Sequence, residues 1–202
     1  MILITGFDPF GGESVNPSFE AVRALPDIID GVSMKKLQLP TVFDEAADLV
    51  IREVERLHPT AVISVGQAGG RRAVTVERVA INLQDARIAD NAGNAPQDRA
   101  IVPGGPAAYF ATLPIRAMVS AITAAGLPAA ISNSAGTFVC NDVMYRVLHH
   151  LATHAPATPG GFIHVPFIPE QVVGKPADTY AMPLTDITRA LSLAISATIR
   201  AM

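Results

Sequence analysis

Residues 43–65 read FDEAADLVIREVERLHPTAVISV, a stretch of helical period that runs directly into a strand. Ala47, Val50, Val54 and Leu57 share one face of a helix predicted over Phe43 to Leu57, and His58-Pro59 prevents its continuation. Thr60 to Val65 is then almost continuously apolar, as strands buried on both faces of a sheet are. The same alternation recurs along the chain. Further strands are predicted over Met1 to Thr5, Ser33 to Leu39, Val74 to Ile81, Ala129 to Ser134 and Gly161 to Val165. Asn16-Pro17 supplies a cap and a first-turn proline for a helix to Ala24. Pro114 opens another, whose stripe is Ile115, Met118, Val119 and Ile122 and whose stop is Gly126 with Pro128. Two more fit Val139 to His150 and Leu184 to Ile199. Strands alternating with helices predict a three-layer α/β/α sandwich around a mostly parallel, mixed central sheet. No repeat or linker divides the chain, so residues 1–202 are read as a single domain.

Composition narrows the function classes. Half of the residues are hydrophobic and 16% are charged, enough apolar material for a core. The balance of 15 Lys and Arg against 18 Asp and Glu, without a run of like charge, gives nucleic acid nothing to bind. Met1 to Gly6 lacks the cationic start of a secretory signal, and apolar runs end well short of the roughly 20 residues a span needs. The expectation is a cytoplasmic protein with no membrane partner. A single cysteine, Cys140, allows neither an internal disulfide nor a Cys-based zinc site.

What that thiol does depends on its neighbours, since a lone cysteine commonly serves as a small buried hydrophobe. Ser134-Ala135-Gly136-Thr137-Phe138-Val139-Cys140-Asn141 leaves a strand, turns at Gly136 and enters a helix whose first turn holds the sulfur. A helix N-terminus favours the thiolate, so a lowered pKa is expected, with delivery at the carboxyl edge of the sheet. His164, in Gly161-Phe162-Ile163-His164-Val165-Pro166, ends a strand on the same expected edge and is the best-placed base. His149, His150 and His154 lie near a helix end without acidic neighbours, and are read as surface residues rather than metal ligands. Glu77 is a carboxylate embedded in an apolar β run. It either orients the histidine or pairs with Arg71, Arg72 or Arg78. Glycine turns at Gly6 to Gly12 and Gly66 to Arg71 lack Walker or dinucleotide spacing, leaving a weak phosphate-cradle alternative. Asp85 to Ala108 reads as a long loop near the site.

Gly6-Phe7-Asp8-Pro9-Phe10-Gly11-Gly12 with Asn16-Pro17-Ser18, Gly66-Gln67-Ala68-Gly69-Gly70-Arg71, Glu77 to Asn82, Asp85-Ala86-Arg87-Ile88, Ala135 to Asn141 and Gly161 to Pro166 together resemble the pyroglutamyl peptidase I family. The resemblance spans about Leu3 to Gln171 and fades in the last helix. It implies a Cys140, His164 and Glu77 triad, no cofactor or metal, peptides with an N-terminal pyroglutamyl group as substrate, and a cytosolic homo-oligomer, often a tetramer. Two positions depart from the family pattern, Val76 and Ala89, where proline is usual. For the uncharged lactam ring the resemblance and the chemistry favour Phe7 and Phe10 as a sandwich, Gln67 or Asn16 as hydrogen-bonding groups, and Ile88, Phe138 and Val139 as apolar wall. The Cys140 N–H and Arg87 are the candidate oxyanion donors. A phosphate-dependent nucleoside phosphorylase and a non-catalytic pyroglutamyl-peptide binder are the competing readings.

Overall fold

The computed structural model describes all 202 residues. In chain order the elements are β1 (Ile2–Phe7), α1 (Pro17–Ala24), β2 (Ile28–Ile29), β3 (Val32–Leu39), α2 (Glu45–Leu57), β4 (Ala61–Gln67) and β5 (Val74–Glu77). Then follow β6 (Val79–Ile81), β7 (Ala108–Phe110), α3 (Ile115–Ala124), β8 (Ala129–Ser132), α4 (Val139–His154), β9 (Gly160–Val165), a 3-10 turn at Pro169–Val172 and α5 (Leu184–Ala201). Seven strands form one sheet in the order β2-β3-β1-β4-β9-β5-β8. The central β3, β1, β4 and β9 are mutually parallel, while β5 and β8 run together against β9.

Period-two alternation sorts the side chains into two cores. Ile2, Ile4, Ile63, Val65, Val74, Val76, Ile163 and Val165 face α1, α3 and α5, meeting Val22, Met118, Ile122, Leu191 and Ile195. Leu3, Phe7, Leu39, Val62 and Phe162 face α2 and α4, meeting Ala47, Val50, Val54, Val143 and Leu148. The expected α/β/α sandwich and its mixed sheet are therefore present.

Four local expectations differ. The run predicted as one strand from Val74 to Ile81 breaks at Arg78, whose Nε donates to Asn133 Oδ1 at 2.8 Å and whose N–H donates to Ser132 O. Beyond the break β6 leaves the main sheet and pairs with β7, a strand too short to signal itself in sequence. Helix α2 starts at Glu45 rather than Phe43 because Asp44 adopts φ 62°, ψ −49°, a sparsely populated conformation. Asp142 Oδ2 accepts the Asp44 N–H at 2.9 Å and Arg146 donates to its carbonyl at 2.7 Å, so packing holds the turn and frees Phe43. Helix α4 continues to His154, and His150 is buried rather than on the surface, its ring stacked on His154.

The close seat of α1 on β1 generates a prediction. A Cβ at Gly6 would lie 2.6 Å from Phe19 Cα and 2.7 Å from its nitrogen, so relief requires moving helix backbone. Gly6→Ala is expected to cost about 1 to 3 kcal/mol, read as a lower urea midpoint with an unchanged slope. An unaltered midpoint would show that α1 can withdraw at no cost.

Candidate active site

Strand register assembles the polar groups. His164 is directly opposite Gly66 of β4 on one side and Thr75 of β5 on the other. Glu77 lies two residues beyond Thr75, hence on the same face and diagonal to His164, within side-chain reach. Its Oε1 accepts from His164 Nδ1 at 2.8 Å and from Arg71 Nη1. Arg71 also donates to Thr75 Oγ1 and to the Ser134 carbonyl. Glu77 is completely buried and His164 is 4% exposed.

These contacts shift the protonation equilibria of both groups. Burial alone would raise the Glu77 pKa, but the hydrogen bond and charge of His164, then the nearby Ser132 hydroxyl and the Arg71 guanidinium, outweigh it and hold the carboxyl below its ordinary range. A carboxylate only accepts, so His164 carries its proton on Nδ1 and leaves a lone pair on Nε2. Burial is the largest influence on the ring. It lowers the His164 pKa against the raising effect of Glu77, favouring neutral imidazole.

Cys140 enters this face from above. It occupies the first turn of α4, and a Cβ placed on Gly66 would come within 2.8 Å of its sulfur. Glycine at 66 thus leaves the space in which Sγ rests against β4, opposite His164 in register. No hydrogen bond joins the sulfur to the imidazole, and the ordered links of the group run from Arg71 to Glu77 to His164. Two expectations are corrected here. Strand β8 runs against β9, so Cys140 is not delivered by a strand sharing the carboxyl edge of His164; residues 133–138 carry the chain across to α4. The thiol pKa is not lowered either: burial, reinforced by the Glu77 charge, pushes it up to about 12, outweighing Arg71 and the Cys140 amide.

A cavity of about 540 Å³ opens in front of these groups. Phe7, Phe10, Asn16, Gln67, Arg87, Ile88 and Phe138 all line it together with Cys140 and His164. Val139 does not: it is fully buried in the α2/α4 core. Phe10 packs on Phe138 at a centroid distance of 6.1 Å, and Phe43 meets Phe138 edge-on at 5.2 Å. Asn16 is committed by capping, its Oδ1 accepting from the Ser18 N–H and hydroxyl while Nδ2 donates to Asp8 O at 2.8 Å. The loop bearing Arg87 and Ile88 is tied to the segment before Cys140, since Asp85 N–H donates to Thr137 O and Thr137 Oγ1 donates to Asp85 O.

Several supporting residues escaped the sequence reading. Asp90 fixes the long loop by accepting from Phe43, Ala92 and Asn94 amides. Asn141 pins the start of α4 to β6 through Ile81 and Leu83. Thr41 lines the cavity and bonds Asp8. Thr41 is a polar residue between apolar ones, while Asp90 and Asn141 each precede another polar residue, and neither setting names a partner. Arg71, a candidate partner of Glu77 or ligand of phosphate from the sequence, has its guanidinium bound to Glu77, Thr75 and Ser134.

Known proteins resemble this chain over nearly its whole length. A model of the pyroglutamyl peptidase family matches residues 1–201, extending the likeness through α5, beyond the range legible by eye. A pyrrolidone-carboxylate peptidase of Streptococcus pyogenes serotype M4 is 56% identical over 196 residues, covering 97% of this chain and 91% of that protein. The crystal structure of Bacillus amyloliquefaciens pyroglutamyl peptidase I superposes with a TM-score of 0.95 at 48% identity, covering 98% of this chain and 96% of the other. Pyrrolidone carboxyl peptidase from Thermococcus litoralis gives 0.94 at 39% identity, covering 98% and 93%. The chain belongs to the pyroglutamyl peptidase family.

Proposed function

We propose that this chain hydrolyses the amide bond after an N-terminal pyroglutamyl residue, with Cys140 as nucleophile, His164 as general base and then acid, and Glu77 as the group that orients the imidazole. The observation carrying these roles is the 2.8 Å contact from His164 Nδ1 to Glu77 Oε1, on a face where the Cys140 sulfur rests against Gly66. With Nδ1–H committed, Nε2 is the nitrogen able to take the thiol proton. Because burial raises the thiol pKa, that proton leaves during attack rather than before it. Sulfur adds to the pyroglutamyl carbonyl, and the imidazolium returns the proton to the departing amine as the C–N bond breaks. Water, deprotonated by His164, then cleaves the thioester, releasing pyroglutamate and restoring the thiol.

The oxyanion of each tetrahedral intermediate falls to the N–H of Cys140, which donates to no carbonyl, and to Arg87 on the cavity rim. Phe7, Phe10, Ile88 and Phe138 form a wall for an uncharged ring. Asn16 and Gln67 supply hydrogen bonds. Val139 has no place in this wall. No step calls on a metal or cofactor, and the phosphate reading loses its cation because Arg71 is engaged with Glu77. No helix is long and apolar enough to cross a membrane. A single working domain over 1–202, cytoplasmic and assembled as a homo-oligomer, belongs to the same proposal on the family resemblance.

The direct check is release of a fluorogenic amine from a pyroglutamyl amide. The native chain is expected to turn over, the free-glutamyl amide to be inert, and Cys140→Ala to lose at least about 10⁴-fold in kcat. Lack of native turnover under reducing conditions would defeat the proposal. Arg87→Ala should lower kcat by roughly 10²-fold if it serves the oxyanion. A raised KM with intact kcat would instead make Arg87 a substrate-binding residue.

The pH behaviour follows from the two buried groups. His164 must be neutral to act, and burial lowers its pKa, so the acidic limb of kcat/KM should lie below the ordinary value of 6.5. Alkylation of Cys140 by iodoacetamide should keep accelerating beyond pH 9, since only the thiolate reacts. A rate already level at neutral pH would establish a thiolate–imidazolium pair and reverse the order of proton transfer.

A further inference from the structure

Gln171 stands in the 3-10 turn after β9, is 5% exposed and does not line the cavity. Its Oε1 accepts the Ile168 N–H at 3.2 Å. Its Nε2 donates to the Val15 carbonyl at 3.2 Å and to Gln67 Oε1 at 2.9 Å. The polarity of this relay is dictated by backbone at both ends. An amide N–H only donates and a carbonyl only accepts, so Ile168 and Val15 fix which end of Gln171 is oxygen. One hydrogen of Nε2 serves Val15 and the other serves Gln67, which must therefore offer its oxygen to Gln171 and turn its NH₂ elsewhere.

Gln67 ends β4 and lines the cavity. The segment presenting Gln171 is itself anchored, for Phe167 packs against Gly69, where a Cβ would meet the ring at 2.0 Å, and Met182 N–H donates to Phe167 O at 2.8 Å. We infer that Gln171 is a positioning residue for substrate selection: it locks the Gln67 carboxamide so that this part of the cavity presents donors, which recognise the ring carbonyl of the lactam and not its N–H. The inference rests on the pyroglutamyl reading of the site. Asn16 points the same way, because its oxygen is consumed by Ser18 and only an N–H remains. An unrestrained glutamine could rotate by half a turn and accommodate either polarity. Here rotation would set NH₂ against NH₂ and break a buried hydrogen bond.

Gln171→Glu tests the relay. Ionised, the introduced carboxyl accepts from Ile168 and has no proton for Gln67, which then turns its NH₂ inward and its oxygen to the cavity. Protonated, it regains one O–H donor, which, given to Gln67, restores the native polarity there and leaves the Val15 carbonyl without its partner. The KM for a pyroglutamyl amide should rise about tenfold or more at about pH 8.5, with a smaller change in kcat, and return toward native as pH falls to about 6. The native chain should lack this trend. Gln171→Met, close in shape and without donors, should raise KM at every pH without rescue. Iodoacetamide alkylation of Cys140 and the urea midpoint report whether each variant keeps its fold. A native KM at the higher pH, or an elevation independent of pH, in a folded Gln171→Glu protein overturns the relay. If that variant does not fold, a native KM in Gln171→Met overturns it. Failure of the native chain to cleave the lactam amide would defeat the peptidase reading instead.

Discussion

One buried charge organises this molecule. Glu77 has no exposed surface, and a carboxylate removed from water survives as an ion only with close partners. Both partners converge on a single oxygen, the imidazole from β9 and the guanidinium from the loop after β4. Oε2 has none. The reversed direction of β5 makes this possible, because antiparallel pairing with β9 sets Glu77 diagonally across from His164 on the face that α4 covers.

Around that charge, small residues decide how near the side chains lining the cavity approach. Gly66 is opposite His164 and leaves the sulfur of Cys140 its place. Gly69 lets the Phe167 ring close over the neighbouring turn, carrying the Gln171 segment to Gln67. Burial by these contacts then sets the electrostatics. The same exclusion of water that strengthens the Glu77–His164 bond disfavours a thiolate, so the helix N-terminus does not prevail at Cys140.

The polar scaffold behind the cavity is as ordered as its rim. Asp142, two residues after Cys140, holds the unusual backbone of Asp44 and receives Gln84, and Asp44 in turn pairs with Arg99. This network fixes the start of α2 against the start of α4 and leaves Phe43 free to buttress Phe138. Loop, helix start and apolar wall are thereby coupled.

The sequence by itself determined much of this. Apolar period, proline and caps located the five helices, α1 to the residue, and short-range motifs marked the segments that meet at the cavity. These features depend on neighbours within a few residues, which is what a sequence displays. Only the tertiary structure decided the break at Arg78, the direction of β5 and β8, the core burial of Val139 and the upward displacement of the Cys140 pKa. Each depends on segments far along the chain: Asn133 for Arg78, β9 for β5, the α2/α4 core for Val139, and for the thiol the packing that buries it, reinforced by Glu77; Gln171, 104 residues away, likewise sets Gln67. Local propensity is written in the order of the residues, whereas strand direction, dielectric environment and hydrogen-bond polarity exist only once distant segments are packed together.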